Sequence, residues 1–307
     1  MKRKLLSVFA CLCSLCLALP FTACGQNTTN EDGNGGNHDI GGNQPNEDNS
    51  GGNNQGAEPE KSDDGIIFTL SADGGYYAVT GFDFSARKNL SVPSSYKNLP
   101  VKEIGKHAFD GCEYLTGIQL PEGIEVIGNS AFNGCTSLAE ISIPESVASI
   151  GDSAFYDCYA LTELSLPASV SKIGSSAMYG CCSLKSITLQ EGVTAVANST
   201  FSDCTQLESV TLPRSVTYIG NSAFDGCSKL ARIDMPAELA SIDEWAFRGC
   251  SSLEEIIIPE TVASIGNWAF SGCFNLTVLC EAESRPKGWA SYWNSSKCPV
   301  VWGYVAD

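Results

Sequence analysis

Residues 127–144 read Ile-Gly-Asn-Ser-Ala-Phe-Asn-Gly-Cys-Thr-Ser-Leu-Ala-Glu-Ile-Ser-Ile-Pro, and this pattern recurs along most of the 307-residue chain. Its cysteine returns every 23 residues without a slip. The eight cysteines in this register are Cys112, Cys135, Cys158, Cys181, Cys204, Cys227, Cys250 and Cys273. A constant period of this length is typical of solenoids, in which each unit packs only on its neighbours. The spacing therefore predicts a stack of eight structural repeats.

Large apolar residues keep the same register as the cysteines. Phe stands three residues before the Cys in every repeat except one, which has Met178, and Leu stands three residues after it in all eight. Ile or Val stands eight residues before it. A single unit cannot bury these side chains alone, but stacking converts each position into a continuous buried column.

Each repeat divides into a strand and a turn segment. The alternation in Leu-x-x-Ile-x-Ile-Pro predicts a short half-buried strand, which the proline ends because it has no N–H donor. In the other half, Asn or Asp predicts helix N-caps and Gly predicts left-handed C-caps, leaving room for about one helical turn. The predicted N-caps are Asn129, Asp152, Asn198, Asn221 and Asn267. The predicted C-caps are Gly111, Gly134, Gly180, Gly226, Gly249 and Gly272.

The combined pattern Ile-Gly-x-x-Ala-Phe-x-Gly-Cys-x-x-Leu-x-x-Ile-x-Ile-Pro resembles the BspA-like (Treponema-type) leucine-rich repeats of surface proteins. The resemblance implies a leucine-rich-repeat solenoid over residues 101–282, with a parallel β-ladder and short helical turns. The fifth repeat departs most from the pattern and is predicted to be looser. Its departures are Gln190 for Pro, Ala197 for Gly and Thr200 for Ala.

Irregular segments flank the repeats and are predicted to cap the stack. Residues 66–100 contain two β-rich runs around Ser71-Ala72-Asp73-Gly74-Gly75, which indicate a hairpin. Leu90-Ser91-Val92-Pro93 repeats the strand signature as a first, irregular rung. Residues 283–307 are Trp-rich and are predicted to form the C-terminal cap.

The N-terminus predicts export. Residues 1–23 have a basic start and a short apolar run, typical of a secretory signal. Their end, Leu19-Pro20-Phe21-Thr22-Ala23 before Cys24, resembles the lipobox of bacterial lipoproteins, although Phe21 departs from it. Lipidation of Cys24 would anchor the protein to a bacterial membrane at the cell surface, whereas ordinary cleavage after Ala23 would leave a free thiol. Residues 24–65 are rich in Gly, Asn and acidic residues and are predicted to be a disordered spacer.

The charge restricts the partners. The formal net charge is −17, and removal of Lys2, Arg3 and Lys4 with the leader would leave 15 basic and 35 acidic residues, or −20. A surface this acidic repels phosphate, so nucleic acid is not expected as a partner, and contact with a membrane is expected only through the lipid.

No motif indicates catalysis, a metal or a cofactor. The repeat cysteines lie in separate units without the close spacing of zinc ligands, so they are predicted to be buried thiols. The chain has two histidines and lacks a nucleophile elbow, a P-loop and a dinucleotide fingerprint. We therefore expect a binding protein, without cofactor, rather than an enzyme.

Two surfaces are candidates for binding. On each strand, the side chains five and seven residues after the Cys should point outward. In the central repeats these include Glu140, Ser142, Glu163, Ser165, Thr188 and Thr211. Trp245 and Trp268 lie one repeat apart where Ser is usual, so they should stack. They form either an exposed aromatic platform or a contact with the C-terminal cap.

A disulfide is one of two predictions for the C-terminal end. Cys280 falls at an outward-facing strand position when counted from Cys273, and Cys298 lies 18 residues later. In an exported chain the two form either a bridge or a pair of free thiols.

The resemblance implies a role in recognition or adhesion. The expected partner is a host or bacterial surface protein or a glycan. We expect this partner to be uncharged or basic. The alternative is a structural spacer of the cell envelope with no dedicated ligand.

Overall fold

A computed structural model describes residues 58–83 and 88–305. The predicted signal peptide, Cys24 and most of the predicted spacer lie outside the described residues. The N-terminal cap contains the strands β1 (Glu60–Lys61), β2 (Ile66–Leu70), β3 (Tyr77–Phe82), β4 (Asn89–Ser91), β5 (Ser95–Tyr96) and β6 (Leu99–Ile104).

Each coil of the repeat region carries up to two strands. The front strands follow the repeat cysteines: β7 (Gly117–Gln119), β9 (Glu140–Ser142), β12 (Ser186–Thr188), β14 (Ser209–Thr211), β16 (Arg232–Ile233), β18 (Glu255–Ile258) and β20 (Thr277–Cys280). The side strands precede them: β8 (Val126–Ile127), β10 (Ser149–Ile150), β11 (Lys172–Ile173), β13 (Ala195–Val196), β15 (Tyr218–Ile219), β17 (Ser241–Ile242) and β19 (Ser264–Ile265). The last strand is β21 (Val300–Trp302).

Parallel pairing confirms the predicted solenoid. Ile118 pairs with Ile141 in front strands β7 and β9, and Ile127 pairs with Ile150 in side strands β8 and β10. Each pair is separated by one 23-residue repeat, so equivalent residues lie directly above one another. The inward-facing side chains form a single core that runs through the cap and all the repeats.

The predicted helical turns are wrong. None of the described residues belongs to a helix. Along the segment before Cys135, local and inter-coil hydrogen bonds alternate: the Ala131 N–H donates to the Gly128 carbonyl at 3.2 Å, and the Phe132 N–H to the Ala154 carbonyl of the next coil at 2.8 Å. Ser130 (φ 54°) and Gly134 (φ 68°) are left-handed, which interrupts any helix. The turns therefore bond across coils.

Four of the five predicted N-caps accept hydrogen bonds from the next coil, and Asn221 is the exception. The Asn129 Oδ1 accepts a hydrogen bond from the Asp152 N–H at 2.9 Å, one repeat further on, instead of capping its own segment. The Asp152 Oδ1 accepts one from the Ser175 N–H at 2.7 Å in the same way. The left-handed conformation predicted for the glycines is confirmed, because all six predicted positions have φ between 68° and 81°.

Two side-chain columns form the centre of the core. Successive rings of Phe201, Phe224 and Phe247 are fully buried and stack at 5.4 and 5.2 Å between centroids. Beside them run the repeat cysteines, which are buried free thiols as predicted. From Cys135 to Cys273 each Sγ donates to the carbonyl of a Phe or Met 26 residues earlier, at 2.9–3.2 Å. Each of these buried thiols thus has a hydrogen-bond acceptor while it stays protonated.

The side sheet is interrupted at the fifth repeat, where the sequence predicts looseness. One sheet ends at β11 and another begins at β13. Ala197 stands where neighbouring repeats have Gly174 and Gly220. A Cβ on Gly174 would lie 2.4 Å from the Asp152 nitrogen of the preceding coil, so this column has little space for a side chain. Ala197 adds a methyl group to this column in the same repeat in which the side-strand pairing is lost.

Both caps close the stack. Strands β2 and β3 form the predicted antiparallel hairpin, and β3 continues in parallel with β6. The folded part begins earlier than predicted, because β1 lies within the expected spacer and pairs with β2. At the other end, Trp293 packs edge-on against Phe270 at 6.0 Å, and the Trp289 Nε1 donates to the Val262 carbonyl at 3.0 Å.

The position predicted for Cys280 is wrong. Glu255 pairs with Thr277, 22 rather than 23 residues later, so the last coil has contracted by one residue. Cys280 is consequently level with Ile258, faces inward and is fully buried, with its pKa raised to about 12 by burial. Cys298 instead lies beside Cys273, whose carbonyl accepts from its Sγ at 3.2 Å. Of the two sequence alternatives, the structure has the pair of free thiols, and both are buried.

Candidate functional site

A groove of about 840 Å³ lies on the front face at the N-terminal half of the solenoid. Glu140, Ser142, Glu163 and Ser165, all predicted from the sequence to face outward, line it. All four are exposed. The alternation of strand side chains therefore places half of the predicted site residues together in one depression.

The groove is acidic. Among its lining residues, Glu140 and Glu163 are ionisable, and none is Lys, Arg or His. Neither carboxylate forms an ion pair or a side-chain hydrogen bond within the described part of the chain. Carboxylates that are exposed and uncompensated are available to a cationic group of a partner.

The groove extends beyond the predicted residues. Asn89 and Ser91 of the N-terminal cap line it because β4 pairs in register with β7. The strand signature at Leu90-Ser91-Val92-Pro93 was a signal for this extension. Ile141 and Ile143 also line it, although their positions in the repeat predict burial in the core. No pattern in the sequence distinguishes Ile141, which is partly exposed, from its equivalents Ile118 and Ile187, which are buried.

Thr188 and Thr211 lie outside the groove. They are direct partners in β12 and β14 and are exposed on the front face, further along the solenoid. The predicted outward orientation is therefore correct for both, but the structure does not bring them together with Glu140 and Glu163.

Trp245 and Trp268 stack as predicted, at 6.0 Å between ring centroids and 24° between planes. Tyr292 of the C-terminal cap continues the stack at 6.0 Å from Trp268. Trp268 is 38% and Tyr292 62% exposed. The sequence left open an exposed aromatic platform or a contact with the C-terminal cap. The stack does both in part, since it contacts Tyr292 of the cap and exposes aromatic surface.

An ion pair limits access to the other end of this aromatic stack. The Arg248 guanidinium lies 5.7 Å from the centre of the Trp245 ring, and its Nη2 is 2.6 Å from the Asp225 Oδ2. Hydrogen bonding to Asp225 raises the pKa of Arg248. The cation is therefore already occupied by a carboxylate and an aromatic ring.

A second hollow, of about 360 Å³, lies on the side sheet near the C-terminal cap. In it the Tyr218 hydroxyl donates to the Asp243 Oδ2 at 2.8 Å. Burial, together with this bond, raises the pKa of Tyr218 to about 12. The two polar groups satisfy each other, which leaves the larger groove as the stronger candidate.

Neither a metal cluster nor a membrane-spanning helix occurs in the described residues. No group of three or more His, Cys, Asp or Glu side chains there is arranged to hold a metal ion. No helix in the same part of the chain is long and apolar enough to cross a membrane.

Parallel strands at a 23-residue period, joined by turns and closed by caps, define a leucine-rich-repeat solenoid. The family model for the BspA type leucine rich repeat region matches in six copies over residues 82–205 and 172–282. The chain therefore belongs to the BspA-type leucine-rich-repeat proteins, as the sequence resemblance predicted.

Solved structures agree with this assignment. A leucine-rich-repeat protein from Bacteroides ovatus is 32% identical, with a TM-score of 0.65 over 78% of this chain and 70% of that one. The T. pallidum leucine-rich-repeat protein is 30% identical, with a TM-score of 0.54 over 71% of this chain and 90% of that one. Comparison with curated proteins gives no match.

Proposed function

We propose that the protein is an exported, cell-surface recognition or adhesion protein, and that it binds a protein or glycan through the front-face groove. The observation that carries the proposal is that Glu140, Ser142, Glu163 and Ser165, which the sequence predicts to face outward, line one groove on the front face. A repeat fold supports binding because stacked strands present a continuous surface. The absence of a cationic lining residue favours a basic or uncharged partner over an anionic one.

Variants of the two candidate surfaces test this proposal on full-length protein displayed on cells. We expect Glu140→Lys together with Glu163→Lys to abolish adherence to arrayed matrix proteins, bacterial cells or glycans, because the charge that selects the partner is reversed. Trp245→Ser together with Trp268→Ser should leave adherence unchanged. Glu238→Lys together with Glu260→Lys is the matched control, since both residues are exposed and lie outside the groove.

Each other outcome assigns a different role. Loss of adherence only in the Trp variant would move the site to the aromatic stack and overturn the groove. Loss in the control as well would show that net charge, not the groove, governs binding. If the unaltered protein adheres to nothing on the arrays, the chain is better described as a spacer of the cell envelope.

We further propose that a lipid on Cys24 holds the protein to the membrane. The support is the leader of residues 1–23 and the lipobox-like end at Ala23-Cys24. An acyl chain binds a membrane through its buried methylene groups, at about 0.8 kcal/mol each.

Replacing Cys24 tests the anchor. In Cys24→Ala, we expect incorporation of labelled fatty acid to be lost and the protein to leave the membrane fraction, because the attachment atom is gone. Globomycin should produce the same release from cells making the unaltered chain. Cys13→Ala, a cysteine substitution within the leader, should retain the anchor. Unchanged membrane fractionation of Cys24→Ala would refute lipidation at this residue.

A further inference from the structure

The last strand of the solenoid is paired on one side. Strand β21 ends the sheet β18-β20-β21 and pairs in parallel with β20 alone. Apart from this pairing, the main chain of residues 300–302 makes no hydrogen bond within the described part of the chain. The outer edge of β21 is therefore an unpaired strand edge among the described residues.

The side chains along this edge are apolar. Val300 and Trp302 are level with fully buried residues of β20, yet both remain partly exposed. Val301, the middle residue of the strand, is 45% exposed. Residues 298–306 contain no charged residue. A strand edge that is unpaired, apolar and free of charges is a site at which another strand readily pairs.

The N-terminal cap protects its own edge strand. Strand β1 has only two residues, Glu60 and Lys61, and both are charged. Lys61 forms an ion pair with Asp83, and Lys97 forms one with Glu60. Short strands and charged side chains are devices that keep a strand edge from associating. Association through a strand edge is therefore expected at β21 and not at β1.

The charge of the chain favours approach of a second copy at this end. Residues 283–307 carry three basic and two acidic residues, or +1, whereas the whole chain carries −17. Two copies therefore repel each other over most of their surface, and the repulsion is weakest at the C-terminal cap. Two identical strand edges related by a two-fold axis are antiparallel, which is a regular pairing geometry.

We propose that two copies of this chain associate through β21, with a two-fold axis at Val301. Val300 of each copy then lies opposite Trp302 of the other, and the two front sheets become one sheet. Because such an axis is perpendicular to the sheet, both front faces lie on the same side. The inference concerns assembly and does not depend on which ligand the groove binds.

Sedimentation equilibrium of the purified full-length chain tests this at several protein concentrations. Cys24→Ala is present in every sample, so that a lipid cannot drive association. We expect the parent chain to approach twice the mass of a single copy. Val301→Lys should weaken association by about tenfold or more, because an apolar contact is lost and like charges then lie directly opposite each other.

Tyr114→Lys is the matched control for this variant. It makes the same change of charge at a residue of the first repeat that is 71% exposed, so association should remain as in the parent. Urea unfolding of each variant accompanies the measurement. Because Val301 and Tyr114 are both exposed, we expect the unfolding midpoints to be equal, which separates loss of association from loss of folding.

A cysteine at the axis separates strand pairing from other contacts between copies. Directly opposite residues of antiparallel strands have Cα atoms about 4.5–5.5 Å apart, a separation that a disulfide can span. Val301→Cys should therefore form a covalent dimer under mild oxidation, seen by non-reducing gel electrophoresis. Tyr114→Cys should give no more cross-linked product than the parent chain does.

Three results would each overturn the inference: a single copy at every concentration, equal weakening by Val301→Lys and Tyr114→Lys, or no cross-link in Val301→Cys. Oligomers that grow beyond two copies as the concentration rises would overturn it as well. They would indicate that β21 pairs with β4, the first strand of the front sheet, on the next copy, which is a contact that does not close.

Discussion

Phe224→Ala should destabilise the protein by about 3–5 kcal/mol, the range typical of removing a buried aromatic ring. The side chain is fully buried and lies between the rings of Phe201 and Phe247, at 5.4 and 5.2 Å. A cavity at this place breaks the column in both directions, because each coil is stabilised mainly by its neighbours. The measurement is urea unfolding of the full chain, followed by circular dichroism.

Phe274→Ala is the matched control for this prediction. The same atoms are removed, but Phe274 is 80% exposed, so a change within about 0.5 kcal/mol is expected. Equal shifts of the unfolding midpoint in the two variants would show that the buried ring column is not a main source of stability.

Gly151→Ala should cost about 2–3 kcal/mol although it adds a single methyl group. The new Cβ would lie 2.3 Å from the Asn129 Oδ1 and 2.5 Å from the Asn129 backbone nitrogen, so Asn129 must move away. This movement breaks the hydrogen bond from the Asp152 N–H to the Asn129 Oδ1. That bond contributes about 1 kcal/mol, and overpacking adds about 1–3 kcal/mol to the loss.

Two comparisons on the same assay check this steric explanation. Gly75→Ala should have little effect, because its Cβ would meet nothing closer than 3.4 Å. The reverse change in the same column, Ala197→Gly, should raise stability by about 1 kcal/mol if the pairing of β11 with β13 is regained, after the entropic cost of glycine. Destabilisation by Ala197→Gly would show that its methyl group does not cause the interruption.

Asp243 shows how the same column accommodates a larger residue. Its N–H still donates to the Ile219 carbonyl at 2.9 Å, and the side strands remain paired. The next residue, however, bonds to Asp243 itself, since the Glu244 N–H donates to the Asp243 Oδ1 at 2.7 Å. The link to the preceding coil through Asn221 is lost, so a side chain here still costs one bond between coils.

The sequence predicted the solenoid well because each repeat supplies an independent copy of the same pattern. Cysteine, Phe and Leu at fixed offsets determine which side chains face the core. The outward orientation of Glu140 and Thr188 and the stacking of Trp245 on Trp268 followed from this register. The weak fifth repeat was also predictable, because Gln190 and Ala197 visibly depart from the pattern.

The errors arose where bonding partners lie in another coil. Asn129 has the same local context as a helix N-cap, and only the stacked neighbour shows that it accepts from Asp152 instead. The contraction before Thr277 cannot be counted from one cysteine, so Cys280 was assigned to the wrong face. The absence of a front strand at residues 163–165 was not predicted, because Leu161-Thr162-Glu163-Leu164-Ser165-Leu166-Pro167 matches the repeat pattern.

The buried cysteine column gives each coil its own chemical reporter. Burial raises the pKa of Cys158, Cys181, Cys204, Cys227 and Cys250, so these thiols are neither ionised nor reachable by an alkylating reagent in the folded chain. A coil that detaches from the stack releases one thiol with ordinary reactivity. The number of alkyl groups at the eight repeat positions, with the partly exposed Cys182 counted separately, therefore gives the number of coils that have opened. Their positions show from which end fraying proceeds.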